Sequence, residues 1–310
     1  MKIGIVGAGS VGGAIARDLM NTGLVSQIVL FDLEPEKSQA VAEDLTHASV
    51  FGGDITIQAG QYGNFKGADI VIITAGAKQK PGESRTELVE RNARNMLDIV
   101  PKLMAVVDPN KVILVPVTNP LDVMTQIITQ ISGLPATRVI GTGTLLDSAR
   151  FRSLLSKLTG VSHKSIHSFV VGEHGDSEVL NWSGATVGSV PLEDFCIQAK
   201  IPLTPAVMDT ITHKTVNAAY SIIRGRNATW DGIGAAAAEL VGAIITDAKK
   251  LLPTSILTAG FLEEPVAFSL PRIIGRDGVI ETIYPKMNSF EAKQLRHSAK
   301  KILELYNEVR

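Results

Sequence analysis

The stretch Ile3-Gly4-Ile5-Val6-Gly7-Ala8-Gly9-Ser10-Val11-Gly12 constrains the fold more than any other part of the chain. A short apolar run enters a G-x-G-x-x-G, and the residues that follow carry apolar side chains at helical spacing. Glycines in such a strand-to-helix turn permit a tight reversal and let a pyrophosphate approach the backbone, where the helix N-terminus stabilises its charge. Glycines also serve tight turns that bind nothing, so the context decides. Asp32 ends the next apolar run, about 20 residues past Gly12, where a carboxylate can accept the hydroxyls of an adenosine ribose. Leu33 and Glu34 follow it, with no arginine to accommodate a 2′-phosphate; the carboxylates would repel that group, which favours NAD over NADP. Gly7, Gly9, Gly12 and Asp32 are therefore read as cofactor-binding residues.

Val/Ile-rich runs at Lys2–Val6, Gln27–Phe31, Asp54–Ala59, Asp69–Ile73, Lys111–Val115 and Arg138–Ile140 alternate with amphipathic stretches at Val11–Asn21, Glu34–Ala48, Thr86–Val107 and Pro120–Ile131. Several of the runs are apolar on both faces, as parallel strands covered by helices are. The expectation is an α/β, Rossmann-type doubly wound parallel sheet over residues 1–142. Beyond it the rhythm changes. Helical segments at Leu146–Leu158, Pro205–Arg224 and Gly232–Lys250 flank strand-like pieces at Ser165–Val171, Ser255–Leu262 and Val266–Tyr284. A closing helix runs from Ser289, read as its cap, to Val309. These residues, 143–310, read as an α+β substrate domain, with the active site expected in the cleft between the two.

Composition narrows the function. Lys and Arg number 30 against 31 Asp and Glu, a net charge of −1, so the chain lacks the broad positive field that nucleic acid or an anionic membrane demands. Neither is expected as a partner. No apolar run is long enough for a membrane span. The single cysteine, Cys196, suits a reducing compartment, and Met1-Lys2 leads straight into the first strand without room for a signal peptide, so the expected location is the cytoplasm. No metal is expected: His163 and His167 stand four apart without the glutamate of H-E-x-x-H.

Four further segments carry chemistry. The polar Gly/Pro stretch from Ala75 to Arg85 is either a lid or an ordinary solvated loop. Asn119, in Val117-Thr118-Asn119-Pro120 after a buried strand, lies where open α/β sheets bind ligands, or caps the next helix. Asp147 and Arg150 share one helix face, as a functional pair or a surface ion pair. His174, in Gly172-Glu173-His174-Gly175-Asp176, can move protons if a carboxylate orients it; spacing leaves Asp147 and Asp176 both open as that partner.

In order and combination these segments resemble the L-lactate/L-malate dehydrogenase family, in its bacterial branch, over nearly the whole chain. The resemblance implies that His174 donates and accepts the proton, oriented by Asp147, that Arg150 grips the substrate carboxylate, and that Arg85 closes over the substrate and polarises its carbonyl. It places Asn119 against both substrate and cofactor, and Val11, Lys37, Tyr62, Gly76, Ala77, Val117 and Thr142 at cofactor positions. Malate dehydrogenases of this kind carry an arginine where this sequence has Gln79. A neutral amide leaves a second substrate carboxylate unpaired, so the implied substrate pair is pyruvate and L-lactate, with Thr229 completing a small pocket. Malate dehydrogenase and a non-catalytic NADH-binding protein are the alternatives. Asp231 departs from the aromatic residue that the resemblance implies. Arg152 and His167 stand where bacterial relatives contact fructose 1,6-bisphosphate, a pair that serves equally as an interface contact. A homotetramer is implied.

Overall fold

The computed structural model describes residues 1–77 and 85–310, the side chain of Arg85 excepted. The first half alternates β1 (Lys2–Val6), α1 (Ser10–Thr22), β2 (Gln27–Phe31), α2 (Pro35–Ser49), β3 (Thr56–Ala59), β4 (Ile70–Ile73), α3 (Arg85–Met104), β5 (Ile113–Pro116) and α4 (Leu121–Ser132). The five strands form one parallel sheet in the order β3-β2-β1-β4-β5. Strand order reverses between β1 and β4, which opens a crevice at the carboxyl ends of the strands. Strand alternation sorts the apolar side chains to two faces. Ile3, Ile5, Ile28, Leu30, Ile70 and Ile72 meet α1, α2 and the apolar helix α9 described below, while Val6, Val29, Val71, Ile73 and Leu114 meet α3 and α4.

The turn after β1 shows why glycine is needed. Gly7 has φ +105°, in the region that favours glycine, and a Cβ at Gly12 would lie 1.9 Å from the Gly7 carbonyl oxygen. α1 can therefore start directly over the end of β1.

The second half contains α5 (Leu145–Thr159), the short strands β6 (Ile166–His167), β7 (Val170–Val171), β8 (Val179–Leu180), β9 (Thr186–Val187) and β10 (Val190–Pro191), then α6 (Leu192–Gln198), α7 (Pro205–Val216), α8 (Ala218–Arg226) and α9 (Asp231–Ile245). A three-stranded antiparallel sheet of β11 (Lys250–Thr258), β12 (Val266–Gly275) and β13 (Gly278–Thr282) precedes the last helix, α10 (Ser289–Asn307). Phe151, Leu155, Ile166, Val170 and Leu180 form a core of their own under α5, and the Phe151 ring meets the edge of Trp182 at 4.7 Å between centroids. Backbone bonds join the halves: Gly141 and Ser255 exchange N–H···O contacts of 2.8 and 3.1 Å, which ties the end of the parallel sheet to β11.

Several expected elements are corrected. Residues 138–140 contribute a single parallel bridge, Val139 to Leu114, instead of a strand, because the chain leaves the sheet at once to reach Ser255. The strand expected from Asp54 begins at Thr56. Pro120 is the N-cap of α4, not a residue of its first turn, after a cis Asn119–Pro120 bond. The segment Pro205–Arg224 divides at Asn217 into α7 and α8. The helix expected to reach Lys250 ends at Ile245, since Asp247 and Lys249 turn with positive φ and Lys250 opens β11. β12 and β13 are a hairpin where one long strand was expected, and Asn288, not Ser289, caps α10 by accepting from Phe290 and Glu291 amides. Among the described residues no helix is long and apolar enough to cross a membrane.

Phe151→Ala should destabilise the second half by about 3–5 kcal/mol, the usual cost of emptying a closed aromatic site. Chemical denaturation followed by tryptophan fluorescence measures it, because Trp182 reports the same core.

Candidate active site

The cofactor side is built from strand ends. Asp32, just past β2, is drawn in by the glycine turn: its Oδ2 accepts the Ala8 amide at 2.7 Å and its Oδ1 the Glu34 amide at 3.2 Å. Lys37 reaches the same carboxylate, Nζ to Oδ2 3.4 Å, so both lie at the mouth of the turn. Gly9 is the N-cap of α1, and a Cβ there would meet no protein atom. Protein packing does not require glycine at that point, whereas a close-approaching pyrophosphate does. The residues present thus fit a dinucleotide. Tyr62 packs its ring on Phe31, 4.4 Å between centroids, and its buried hydroxyl has no hydrogen-bond partner among the described residues. Burial, helped by Asp98, pushes that phenol up to about 12. Val11, in the first turn of α1, is half-buried.

Gly76, Ala77, Val117, Asn119 and Thr142 gather across the crevice at the ends of β4 and β5. Val117 and Thr142 hang on the sheet through their amides, to Ile73 O at 2.9 Å and Pro116 O at 3.2 Å. A residue that sequence reasoning missed knits this cluster. Asn92, 1% exposed on α3, accepts the Ala77 amide at 2.8 Å and donates to the Asn119 carbonyl at 2.7 Å. Its signal was present, for it interrupts the apolar stripe of Val89, Ala93, Met96 and Val100 with a polar side chain.

The chemical side centres on Asp147 in the first turn of α5, 1% exposed. Its Oδ2 accepts from His174 Nδ1 at 2.6 Å and its Oδ1 from Arg150 Nη1 at 2.7 Å. The structure therefore brings together three residues from two separate segments. Asp176 is not the histidine's partner; it accepts the Tyr220 hydroxyl at 3.3 Å. Burial alone would lower the His174 ring, but the Asp147 carboxylate overrides it and pushes the imidazole up to about 9. Burial likewise opposes ionisation of Asp147, and His174 with Arg150 outweighs it, holding that carboxyl below the usual range. With Nδ1 committed to Asp147, Nε2 is the nitrogen left to exchange a proton.

Two more carboxyls went unnoticed in the sequence. Asp122, at the start of α4, accepts the His174 backbone amide at 2.7 Å. Glu178, in the histidine loop, has a buried Oε1 without a hydrogen-bond partner among the described residues, and burial pushes its carboxyl up to about 9. Aspartate and glutamate in loops are too common for spacing to single these out.

Other expected residues lie at the margin or outside. Thr229 is half-buried in the loop before α9. Asp231, at the departure from the expected aromatic, takes ion pairs from Arg226 at 2.6 Å and Arg17 at 3.4 Å. Arg152 is half-buried on α5 with its Nε unpartnered among the described residues; His167 is exposed on β6, which packs against that helix. Gln79 and the side chain of Arg85 lie outside the described residues.

Comparison with known proteins matches the chain nearly end to end. Residues 1–141 match the model of the lactate/malate dehydrogenase NAD binding domain, and residues 144–310 that of the alpha/beta C-terminal domain of the same family. The chain is 47% identical to the L-lactate dehydrogenase of Thermus aquaticus, covering 96% of each chain, and 46% identical to that of Allorhizobium ampelinum, covering 98% of each. Among solved structures, the minor L-lactate dehydrogenase from Enterococcus mundtii, in ligand-bound form, superposes with a TM-score of 0.95 at 36% identity, over 100% of this chain and 98% of that one. A lactate dehydrogenase from a Medee basin deep-sea metagenome library gives 0.94 at 36% identity, over 99% and 98%. NAD is the cofactor of the N-terminal domain. With both of its halves matched and its relatives aligned nearly end to end, the chain belongs to the lactate/malate dehydrogenase family.

Proposed function

We propose that this protein is an NAD-dependent L-lactate dehydrogenase, interconverting pyruvate and L-lactate. The observation that carries the reading is a single buried carboxylate, Asp147, joining an imidazole to a guanidinium beside a dinucleotide crevice. NADH, when bound, supplies the hydride that the carbonyl carbon takes up. His174 supplies the matching proton from Nε2 to the carbonyl oxygen, and takes it back when lactate is oxidised. Asp147 keeps the ring oriented and its charged form stable. Arg150 has Nη1 on Asp147, and the rest of its fork is suited to the substrate carboxylate. Gly7, Gly9, Gly12, Val11, Asp32, Lys37, Tyr62, Gly76, Ala77, Val117, Asn119 and Thr142 hold the cofactor; Arg85, Gln79, Asn119 and Thr229 surround the substrate.

Substrate choice rests on Gln79. Oxaloacetate would bring a second carboxylate beside an amide that cannot neutralise it, and a desolvated anion without a partner is expensive. The flanking Lys78 and Lys80 are the features that keep malate dehydrogenase as the second reading.

The same proposal extends to assembly and regulation. The protein works as a cytoplasmic homotetramer in fermentative glycolysis. Supporting this, α8 has no buried residue although it carries Ile222 and Ile223, and Phe51, Ile197 and Phe290 are also exposed, as side chains awaiting subunit contacts are. Fructose 1,6-bisphosphate binds at Arg152 and His167 and activates.

Loss of NADH absorbance with matched pyruvate and oxaloacetate tests the substrate, and pyruvate should win by at least about tenfold, the discrimination a single unpaired charge supplies. A faster reaction with oxaloacetate would make the enzyme a malate dehydrogenase. Fructose 1,6-bisphosphate should raise the pyruvate rate, and Arg152→Gln should abolish the rise. His174→Ala should still bind NADH, seen as fluorescence, while turnover falls by about 10²–10⁴-fold. Because pyruvate reduction needs the charged imidazole, its rate should fall as pH rises through about 9, and lactate oxidation should rise over the same interval.

A further inference from the structure

Asp122 lies in the first turn of α4 and is 2% exposed. The proton transfer described above gives it no role. Its Oδ2 accepts the His174 backbone amide, and its buried Oδ1 has at most the nearby Ser255 hydroxyl to favour its charge, with no hydrogen bond of good geometry among the described residues. If one amide needed an acceptor, a serine or asparagine would serve at a lower desolvation cost, because a buried charge is far harder to hold than a buried neutral group. A carboxylate held this deep by one amide and one hydroxyl makes sense for its charge more than for its hydrogen bonds.

We propose that Asp122 is a positioning residue of the proton-transfer site: it anchors the His174 loop to α4 and acts as a second anion, beside Asp147, that favours the protonated ring. This rests on the dehydrogenase reading of the site and deepens it. The charged and titratable groups around His174 come from several elements: Asp147 and Arg150 from α5, Asp122 from α4, and Glu173 and Glu178 from the histidine's own loop. Asp122 also faces Arg272 of β12. That arginine is fully buried; its guanidinium is held by the carbonyls of Thr254, Phe268 and Leu270 and by the Thr258 hydroxyl, and it makes no ion pair among the described residues. Tyr284 and the Asp122 carboxylate both favour its charged form against burial. Burial pushes the Asp122 carboxyl up only to about 6, which leaves it ionised at neutral pH, and its charge is one of those that raise His174.

Asp122→Asn keeps an acceptor for the amide and removes the charge. In the protein without cofactor, the imidazole NMR signal lost in His174→Gln identifies His174, and its titration should move down by about one pH unit in Asp122→Asn. The basic limb of kcat/KM for pyruvate reduction should move by the same amount. Should the amide's buried NH2 prevent folding, Asp122→Ser removes the charge without adding two donors and carries the same expectation. An unshifted titration in the folded variant, with or without lost turnover, overturns the proposal. Failure of both variants to melt cooperatively or to bind NADH does so too, because the carboxylate would then serve the fold alone. If the unaltered protein oxidises NADH with neither keto acid, the enzymatic reading fails separately, and the NMR titration still decides the role of Asp122.

Discussion

The Asp147 carboxylate is the interaction on which the second half of the chain depends. An ionised carboxyl almost wholly removed from water is tolerable only if cations with good geometry replace the lost hydration. Here both oxygens are taken, one by His174 and one by Arg150. The fold must then hold a helix and a distant loop in fixed register. It does so with hydroxyls on either side of Asp147: Thr144 donates to the Val170 carbonyl at 2.5 Å, and Ser148 accepts the Val170 amide at 2.8 Å. Thr144 is itself anchored through its amide to Ser269 of β12 at 3.1 Å. The first turn of α5 is thereby stitched to β7, and His174 follows three residues after that strand.

The cofactor side obeys a different constraint. Among the described residues its one ion pair, Lys37 with Asp32, is partly exposed; its shape comes from backbone groups at strand ends and from close contact between glycines and neighbouring atoms. Gly76 illustrates this, since a Cβ there would lie 2.4 Å from the Thr118 methyl. Asn92 completes the arrangement by bonding both sides of the crevice floor, through Ala77 and Asn119. A dinucleotide is long and carries hydrogen-bonding groups throughout, so a surface made of many small backbone features suits it. The substrate is small and charged, and one concentrated cluster suffices.

The sheet was legible because its pattern is local. Apolar runs and G-x-G-x-x-G carry strand, turn and helix within a few residues of each other, and all five strands appear where the runs are. Positions 138–140 misled because an apolar run shows that a segment is buried, not how long it stays in the ladder. The second half was harder to read, since its two-residue strands β6 to β10 are too short for any period to register. The reading of Gly232–Lys250 as one helix ran past its end because positive φ at Asp247 and Lys249, neither a glycine, leaves no mark in the sequence. The His174–Asp147 pairing could not be chosen over Asp176 by spacing, because the distance that matters is set by the Thr144 and Ser148 bonds across the fold. Asn92 and Asp122 stayed hidden for a related reason: their work is done on backbone groups of remote segments.

The Gly141–Ser255 backbone bonds carry a consequence for how this molecule can work. Main-chain bonds between Gly141, just past the parallel sheet, and Ser255 of β11 couple the two halves at their junction, so a jaw-like parting there would have to break them. Discrimination between one keto acid and another then falls to individual side chains more than to the setting of the two halves. Altered specificity, in a relative or in the laboratory, needs only a few exchanges at the rim of the crevice, with the scaffold beneath left untouched.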